Sequence, residues 1–252
     1  MTTSKKTDYL LYLIGFVFVA YVLLKIIGYI LPDRPTVLNE KDLLEQVIAA
    51  HGGESNWSQK KSIAFTKEFK LYREDARIEI DRIEKHAYTY SPTQERLIQW
   101  QQDGNNYLLA KKGQRIEQYI NDRIDTLITK EQLQSKLNAA EFVIDLPHSL
   151  KTGAATLEYE GEKEFQNKPC YVLRAHFKDS RDIWWFYFDT KNLNWEGYWV
   201  KTSGHYSLVI NEEMTEVDGF TLSRKRKSYR TDSLQNISYL RATYLYNAYT
   251  ID

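Results

Sequence analysis

The 252 residues carry 34 Lys and Arg against 34 Asp and Glu, so the formal net charge at pH 7 is zero. Acids and bases are interspersed, without the basic face that a nucleic-acid binder shows. A single Cys excludes an internal disulfide, and an aromatic share of 14% favours β-structure and supplies walls for an apolar cavity.

Residues 9–31, YLLYLIGFVFVAYVLLKIIGYIL, include one charge. Roughly 20 apolar residues suffice for a helix to cross a bilayer. The run is too long for a cleaved leader, and no A-x-A pattern follows it. Lys25 is close enough to the far end to snorkel, and Tyr9, Tyr12 and Tyr29 stand where interfacial aromatics do. Lys5 and Lys6 precede the run, while Asp33 and Arg34 cancel each other after it. The positive-inside rule then predicts a cytoplasmic N-terminus over 1–8, a retained single-pass anchor over 9–31, a linker over 32–38 and a domain outside the cytoplasm over 39–252. That remainder suits one large domain, and no fixed-period repeat divides it.

Asn39 reads as the N-cap of a short amphipathic helix, with Glu40 and Asp42 in its first turn and Leu43, Leu44, Val47 and Ile48 as its stripe. Gly52 and Gly53 end it, with His51 as a cap or packing residue, and Trp57 is expected to fold back onto the stripe. Period two then predicts strands over 62–71, 76–90, 96–101 and 106–110, with turns at 72–75 and at Asp103-Gly104. Over 117–150, Ile120, Ile124, Leu127 and Ile128, then Leu133, Leu137 and Ala140, fall at helical spacing, which predicts two or three short helices before Pro147. Strands resume at 156–160, 168–177, 183–189, 192–200, 207–214, 220–229 and 238–248, with a turn at Asp218-Gly219. The basic run Arg224-Lys225-Arg226-Lys227 reads as a solvated edge, the alternating Glu158, Glu160, Glu162 and Glu164 as a solvated strand face, and His176, Asp179 and Asp182 as a polar hairpin tip. Cys170, beside Tyr171 and Val172, reads as a buried small apolar residue. A sheet this long curls over something, and the inserted helices are its expected plug.

A leading helix, a run of antiparallel strands, a helical insert and a second run resemble the LolA/LolB-like lipoprotein-carrier superfamily. The stretch Ala49-Ala50-His51-Gly52-Gly53 with Trp57 and the strand at 62–65 is similar to the start of Bacteroidota envelope proteins of that superfamily. Gly161, then Asn167-Lys168-Pro169-Cys170-Tyr171-Val172-Leu173, Trp185-Phe186-Tyr187-Phe188-Asp189 and Val217-Asp218-Gly219-Phe220 are similar to the second half of such domains. The resemblance covers residues 39–247 and implies an α+β fold: a strongly curved antiparallel half-barrel with helices over its concave face. It also implies a periplasmic domain and no catalytic residue, and the run at 9–31 adds the expectation that the domain is anchored in the inner membrane. The carriers are soluble or lipid-tethered, whereas this chain is expected to be anchored by protein, which departs from a shuttling role.

No G-x-S-x-G, phosphate loop, C-x-x-C or H-E-x-x-H occurs, so the expectation is a protein that is not an enzyme and needs no metal or cofactor. The candidate site is aromatic: Phe65, Phe69, Trp100, Trp184, Phe186, Phe188, Trp195 and Trp199 form either plain core or an apolar cavity for an acyl chain or a lipoprotein. The alternative function is a non-catalytic interaction subunit whose partners are other envelope proteins.

Overall fold

The computed structural model describes Tyr21, residues 35–178 and residues 180–252. The expected span over 9–31, Tyr21 apart, lies outside the described residues, as do residues 1–8, residues 32–34 and Asp179 of the expected polar tip. Among the described residues no helix is long and apolar enough to cross a membrane. Met1–Thr36 and Val37–Asp252 are separate compact units, and every element named below belongs to the second.

Helix α1 (Glu40–Ala50) starts where the Asn39 side chain accepts the Asp42 N–H at 2.9 Å, which satisfies an otherwise orphaned donor. Leu43, Leu44, Val47 and Ile48 are its buried stripe, and His51 is its C-cap. Gly52 follows at φ +105°, and a Cβ there would lie 2.5 Å from the Phe220 ring and 2.8 Å from the Gly219 carbonyl oxygen. Only glycine lets the chain turn that close to another backbone. Trp57, in α2 (Glu54–Gln59), does not return to the stripe; it stacks on His148 at 4.7 Å and meets Phe220 edge-on.

Among the described residues thirteen strands make one antiparallel sheet. The first meander is β1 (Ser62–Tyr72), β2 (Ile78–Thr89), β3 (Glu95–Gln102), β4 (Asn105–Lys112), β5 (Arg115–Ile120) and β6 (Arg123–Ile124). The second is β7 (Ala155–Phe165), β8 (Lys168–Phe177), β9 (Ile183–Asp189), β10 (Trp195–Lys201), β11 (Tyr206–Val217), β12 (Phe220–Thr231) and β13 (Ile237–Ile251). Hairpins close at Asp103-Gly104, Asn121-Asp122, Gln166-Asn167 and Asp218-Gly219, each with two residues at positive φ, as turns matching strand twist require. The two meanders join because the first strand pairs with the last, Ile63 opposite Ile251 and Phe69 opposite Tyr244. The order β6-β5-β4-β3-β2-β1-β13-β12-β11-β10-β9-β8-β7 leaves β6 and β7 as open edges.

Helix α3 (Lys130–Asp145) links the meanders, opened by a capping box between Thr129 and Gln132. It meets both halves of the sheet. Glu141 pairs with Arg96 of β3 at 2.6 Å, while Phe142 lies 5.4 Å from Phe177 of β8. These strands are eight apart in the sheet order, roughly 38 Å in a flat sheet at about 4.8 Å per strand. A helix is about 10–12 Å across, so the sheet must wrap around α3. Leu133, Leu137 and Ile144 seat the helix in one core with Ile63, Phe65, Tyr88, Ile98 and Leu109. The α1 stripe seats in a second core on β8–β11.

Three local expectations change. The helical spacing from Ile120 to Ile128 is coincidental: residues 115–120 are a strand with Ile116 and Gln118 buried, the Asn121-Asp122 turn follows, and Leu127 is 94% exposed. The insert is one α-helix and a 3-10 turn at His148–Thr152, and it begins after six strands rather than four. The basic run is not an edge. It lies in β12, between β11 and β13, and Arg226 alone of the four is buried while Lys225 and Lys227 pair outward with Glu212.

The C-terminal end of α3 is clamped by charge. Lys60 lies 3.9 Å from Asp145, between the Trp57 and Tyr90 rings at 3.8 and 3.9 Å, and the Tyr90 hydroxyl donates to Asp145 at 3.4 Å. Burial pushes the Asp145 carboxyl up to about 6 against the pull of Lys60, and burial brings the Lys60 ammonium down to about 8. A carboxyl raised on folding contributes its stability in full below its unfolded value and loses it as pH rises through its folded value. Wild type is therefore expected to lose ground to Asp145→Asn, its neutral isostere, as pH rises through about 6. Paired thermal melts across that window check this; a gap that does not move with pH would contradict it.

Candidate functional site

Helices α1 and α3 cover different parts of the inner face, and a cavity of about 400 Å³ remains beside α3, within the range of small-ligand sites. Strands β1 and β3 bring Phe65, Phe69, Ile98 and Trp100 to it; α3 brings Ala140 and Val143; β10 and β13 bring Tyr198, Tyr244 and Tyr246. The rings are ordered by contact: Phe69 stacks on Tyr244 at 5.4 Å and Trp100 on Tyr107 at 5.0 Å.

A second set of lining side chains is ionic. Glu84 is 4% exposed, and its carboxylate accepts from Lys67 at 2.8 Å and from Arg82 Nε at 2.8 Å. Burial acts to raise that carboxyl, but the contacts with His86, Lys67 and Arg82 outweigh it and hold Glu84 well below the usual carboxylate range. Burial lowers His86, so the imidazole is neutral. Its two contacts then fix the tautomer: Nε2–H donates to Glu84 at 3.1 Å, and Nδ1 accepts from the Tyr88 hydroxyl at 2.8 Å. Phe65 stacks on this ring at 4.5 Å. The Arg82 guanidinium lies over the Trp100 ring at 5.1 Å, a favourable placement for a cation on an aromatic face.

Arg226 is the other buried charge, 2% exposed. Rings surround it: Trp195 at 5.2 Å, Tyr198 at 5.6 Å and Tyr244 at 5.8 Å. Its Nε has no acceptor, nor does the buried indole N–H of Trp100. Lys136 of α3 completes the polar lining, held below its ordinary value by burial and by the Arg82 charge. The lining thus sets four cationic side chains, Lys67, Arg82, Lys136 and Arg226, against one carboxylate, Glu84.

Of the aromatics singled out from sequence, Phe65, Phe69 and Trp100 line this cavity. Phe186, Phe188 and Trp195 are buried in the core beneath α1, with Trp184 packed against it. Trp199 is on the opposite face with Cys170, Val172, Tyr187 and Leu208, and its indole N–H donates to Thr231 at 3.1 Å. The Cys170 thiol there is fully buried and pushed up to about 12. The polar lining was not singled out, although one signal pointed to it. Arg82, Glu84 and His86 share the even positions of Tyr88, so the period that buries Tyr88 carries all three inward. Arg226 had no such signal, because its neighbours in sequence are equally basic.

Residues 21–248 match the model of a family of unknown function, DUF6503. No curated protein matches the sequence. Among solved structures, a LolA superfamily protein from Nitrosomonas europaea aligns with TM-score 0.56 at 10% identity, over 85% of this chain and 94% of that one. A DUF1329 family protein from Desulfovibrio piger aligns with TM-score 0.55 at 10% identity, over 84% and 92%. A putative outer membrane lipoprotein-sorting protein domain from Vibrio parahaemolyticus gives 0.53 at 9% identity, over 84% and 92%. The shared feature is the fold, and it is the lipoprotein-carrier fold that the sequence resembled.

Glu84 is a buried carboxylate between two half-buried cations, so Glu84→Gln leaves Lys67 and Arg82 without a counter-charge. Removing one member of such a cluster costs about 3–5 kcal/mol. Denaturant unfolding is expected to show a loss of that order, whereas a loss under about 1 kcal/mol would mean that the cluster is solvated like a surface pair.

Proposed function

The chain belongs to the DUF6503 family, and we propose that it is a membrane-anchored module of the cell envelope that faces the periplasm and binds a lipid or the acyl part of a lipoprotein. The observation that carries this reading is the cavity of about 400 Å³ held open between α3 and an aromatic sheet face of the lipoprotein-carrier fold. Burying an acyl chain gains roughly 0.8 kcal/mol per methylene. Ten methylenes then supply roughly 8 kcal/mol, the free energy of a complex near micromolar. The named function of a structural neighbour, putative lipoprotein sorting, concerns the same chemistry. Residues 9–31 supply the anchor in this reading, so the module acts beside the membrane instead of shuttling across the periplasm. The reading assigns the polar lining to binding rather than to catalysis. His86 spends both ring nitrogens on Tyr88 and Glu84, and the Cys170 thiol is buried on the other face.

Two experiments test it. Ala140 sits on α3 against the cavity, at the margin of the core beneath that helix, so Ala140→Trp directs its added bulk into the open space. Binding of a fluorescent fatty acid to the full chain is expected to fall about tenfold or more, equivalent to losing about two buried methylenes, while the melting temperature holds. Phe186→Asp, by contrast, puts a charge in the fully buried core and is expected to unfold the domain. Undiminished probe binding by the filled variant would refute the cavity as the site. For the orientation, protease added to intact spheroplasts is expected to remove residues 39–252; protection of that domain would place it in the cytoplasm.

A further inference from the structure

The cavity has more cationic groups than its own carboxylate can satisfy, and the surplus is concentrated at Arg226. Glu84 is already committed to Lys67, Arg82 and His86. Among the described residues no carboxylate pairs with Arg226, although this guanidinium is buried in the middle of the sheet. Stacking against Trp195, Tyr198 and Tyr244, and hydrogen bonds to the Tyr198 and Tyr246 hydroxyls, offset part of the cost of burial, but Nε remains without an acceptor. A second buried donor in the same lining, the Trp100 indole N–H, is also without one. Unsatisfied buried donors cost free energy, and these two face the same cavity, where the polar end of a ligand would meet them.

We propose that the cavity takes a single-chain amphiphile with an anionic headgroup, a carboxylate or a phosphate monoester, and that Arg226 receives the headgroup while Phe65, Phe69 and Val143 flank the chain. A guanidinium fork matches the two oxygens of either group. Lys136 adds positive potential from the helix side, and its flexible stem on α3 lets it follow the headgroup. The aromatic collar is then a dry seat for the ion pair, where the attraction is stronger than in water. The inference rests on the lipid-binding reading above and adds the chemistry of the ligand's polar end.

The test uses the full chain in nanodiscs of zwitterionic lipid, with dodecanoate, dodecyl phosphate, dodecanol and inorganic phosphate as competitors of a fluorescent acyl probe. Wild type is expected to prefer the two anionic amphiphiles to dodecanol by about tenfold or more, the increment of one hydrogen bond to a charged group. Inorganic phosphate, which has no chain, is expected not to compete. Arg226→Met should fold, since apolar replacement of a buried charge is commonly neutral or stabilising, and should bind dodecanol as wild type does while losing the preference. Arg226→Lys should keep part of it. Equal binding of dodecanoate and dodecanol by wild type, or loss of both ligands in Arg226→Met, would overturn the headgroup assignment and leave lipid binding intact as a reading. Competition by inorganic phosphate alone would replace the amphiphile with a free anion. Failure of every chain-bearing ligand to bind wild type would overturn both proposals.

Discussion

A sheet of thirteen strands has to bury one face, and among the described residues two helices longer than two turns, α1 and α3, lie over it. That limited cover shapes the molecule. The α1 stripe serves the second meander, α3 serves the first, and the sheet wraps so that α3 touches β3 on one side and β8 on the other. The central strands between them, β2, β1, β13 and β12, send their inner side chains into the space that neither helix fills. The cavity follows from that mismatch in covering area, and the side chains that face it were free to be something other than core.

Those side chains are an aromatic and ionic mixture, and each half depends on the other. Lys67, Arg82 and Arg226 are tolerable inside because rings lie beside them and because Glu84 is shared between two of them. The rings in turn are held in register by cross-strand stacks such as Phe69 on Tyr244, which bridge the β1–β13 seam. Residues 175 positions apart in the chain meet there, at the pairing of the first strand with the last. A polar interior of this kind is costly to fold, in contrast to the core under α1, where Leu43, Val47, Leu173 and Phe186 are all fully buried and uncharged. Within the sheet the tightest approach is between β10 and β11: Gly197, at φ +152°, lets the strands come so near that a Cβ would lie 2.1 Å from the Val209 carbonyl oxygen.

Much of the fold was legible in the chain because it is locally encoded. The Asn39 cap, the α1 stripe, the Asp-Gly hairpins and the alternation of Ile63 with Phe65 depend on neighbours within a few residues, and all stand as read. The resemblance of residues 39–247 to the lipoprotein-carrier superfamily was carried by the order of such units, so it too could be seen without coordinates. Strand β5 was missed because Ile120, Ile124, Leu127 and Ile128 satisfy a helical period by chance, whereas the residues that define the strand, Ile116 and Gln118, earn their burial only from the partner strand and helix.

The sequence by itself determined the number and type of most elements, the turns between them and the enrichment in aromatics, since backbone propensity and side-chain period act over a few residues. Only the tertiary structure decided which aromatics line a cavity, because a strand's two faces differ in what the rest of the chain lays over them. Trp184 and Trp199 are alike in sequence context, yet they stand on opposite faces. The same holds for charge. Arg226 differs from Arg224 and Lys225 in no local feature, yet Arg226 pairs in register with Asn211 and is buried, whereas Arg224 falls in a register shift of the β11–β12 pairing and is exposed.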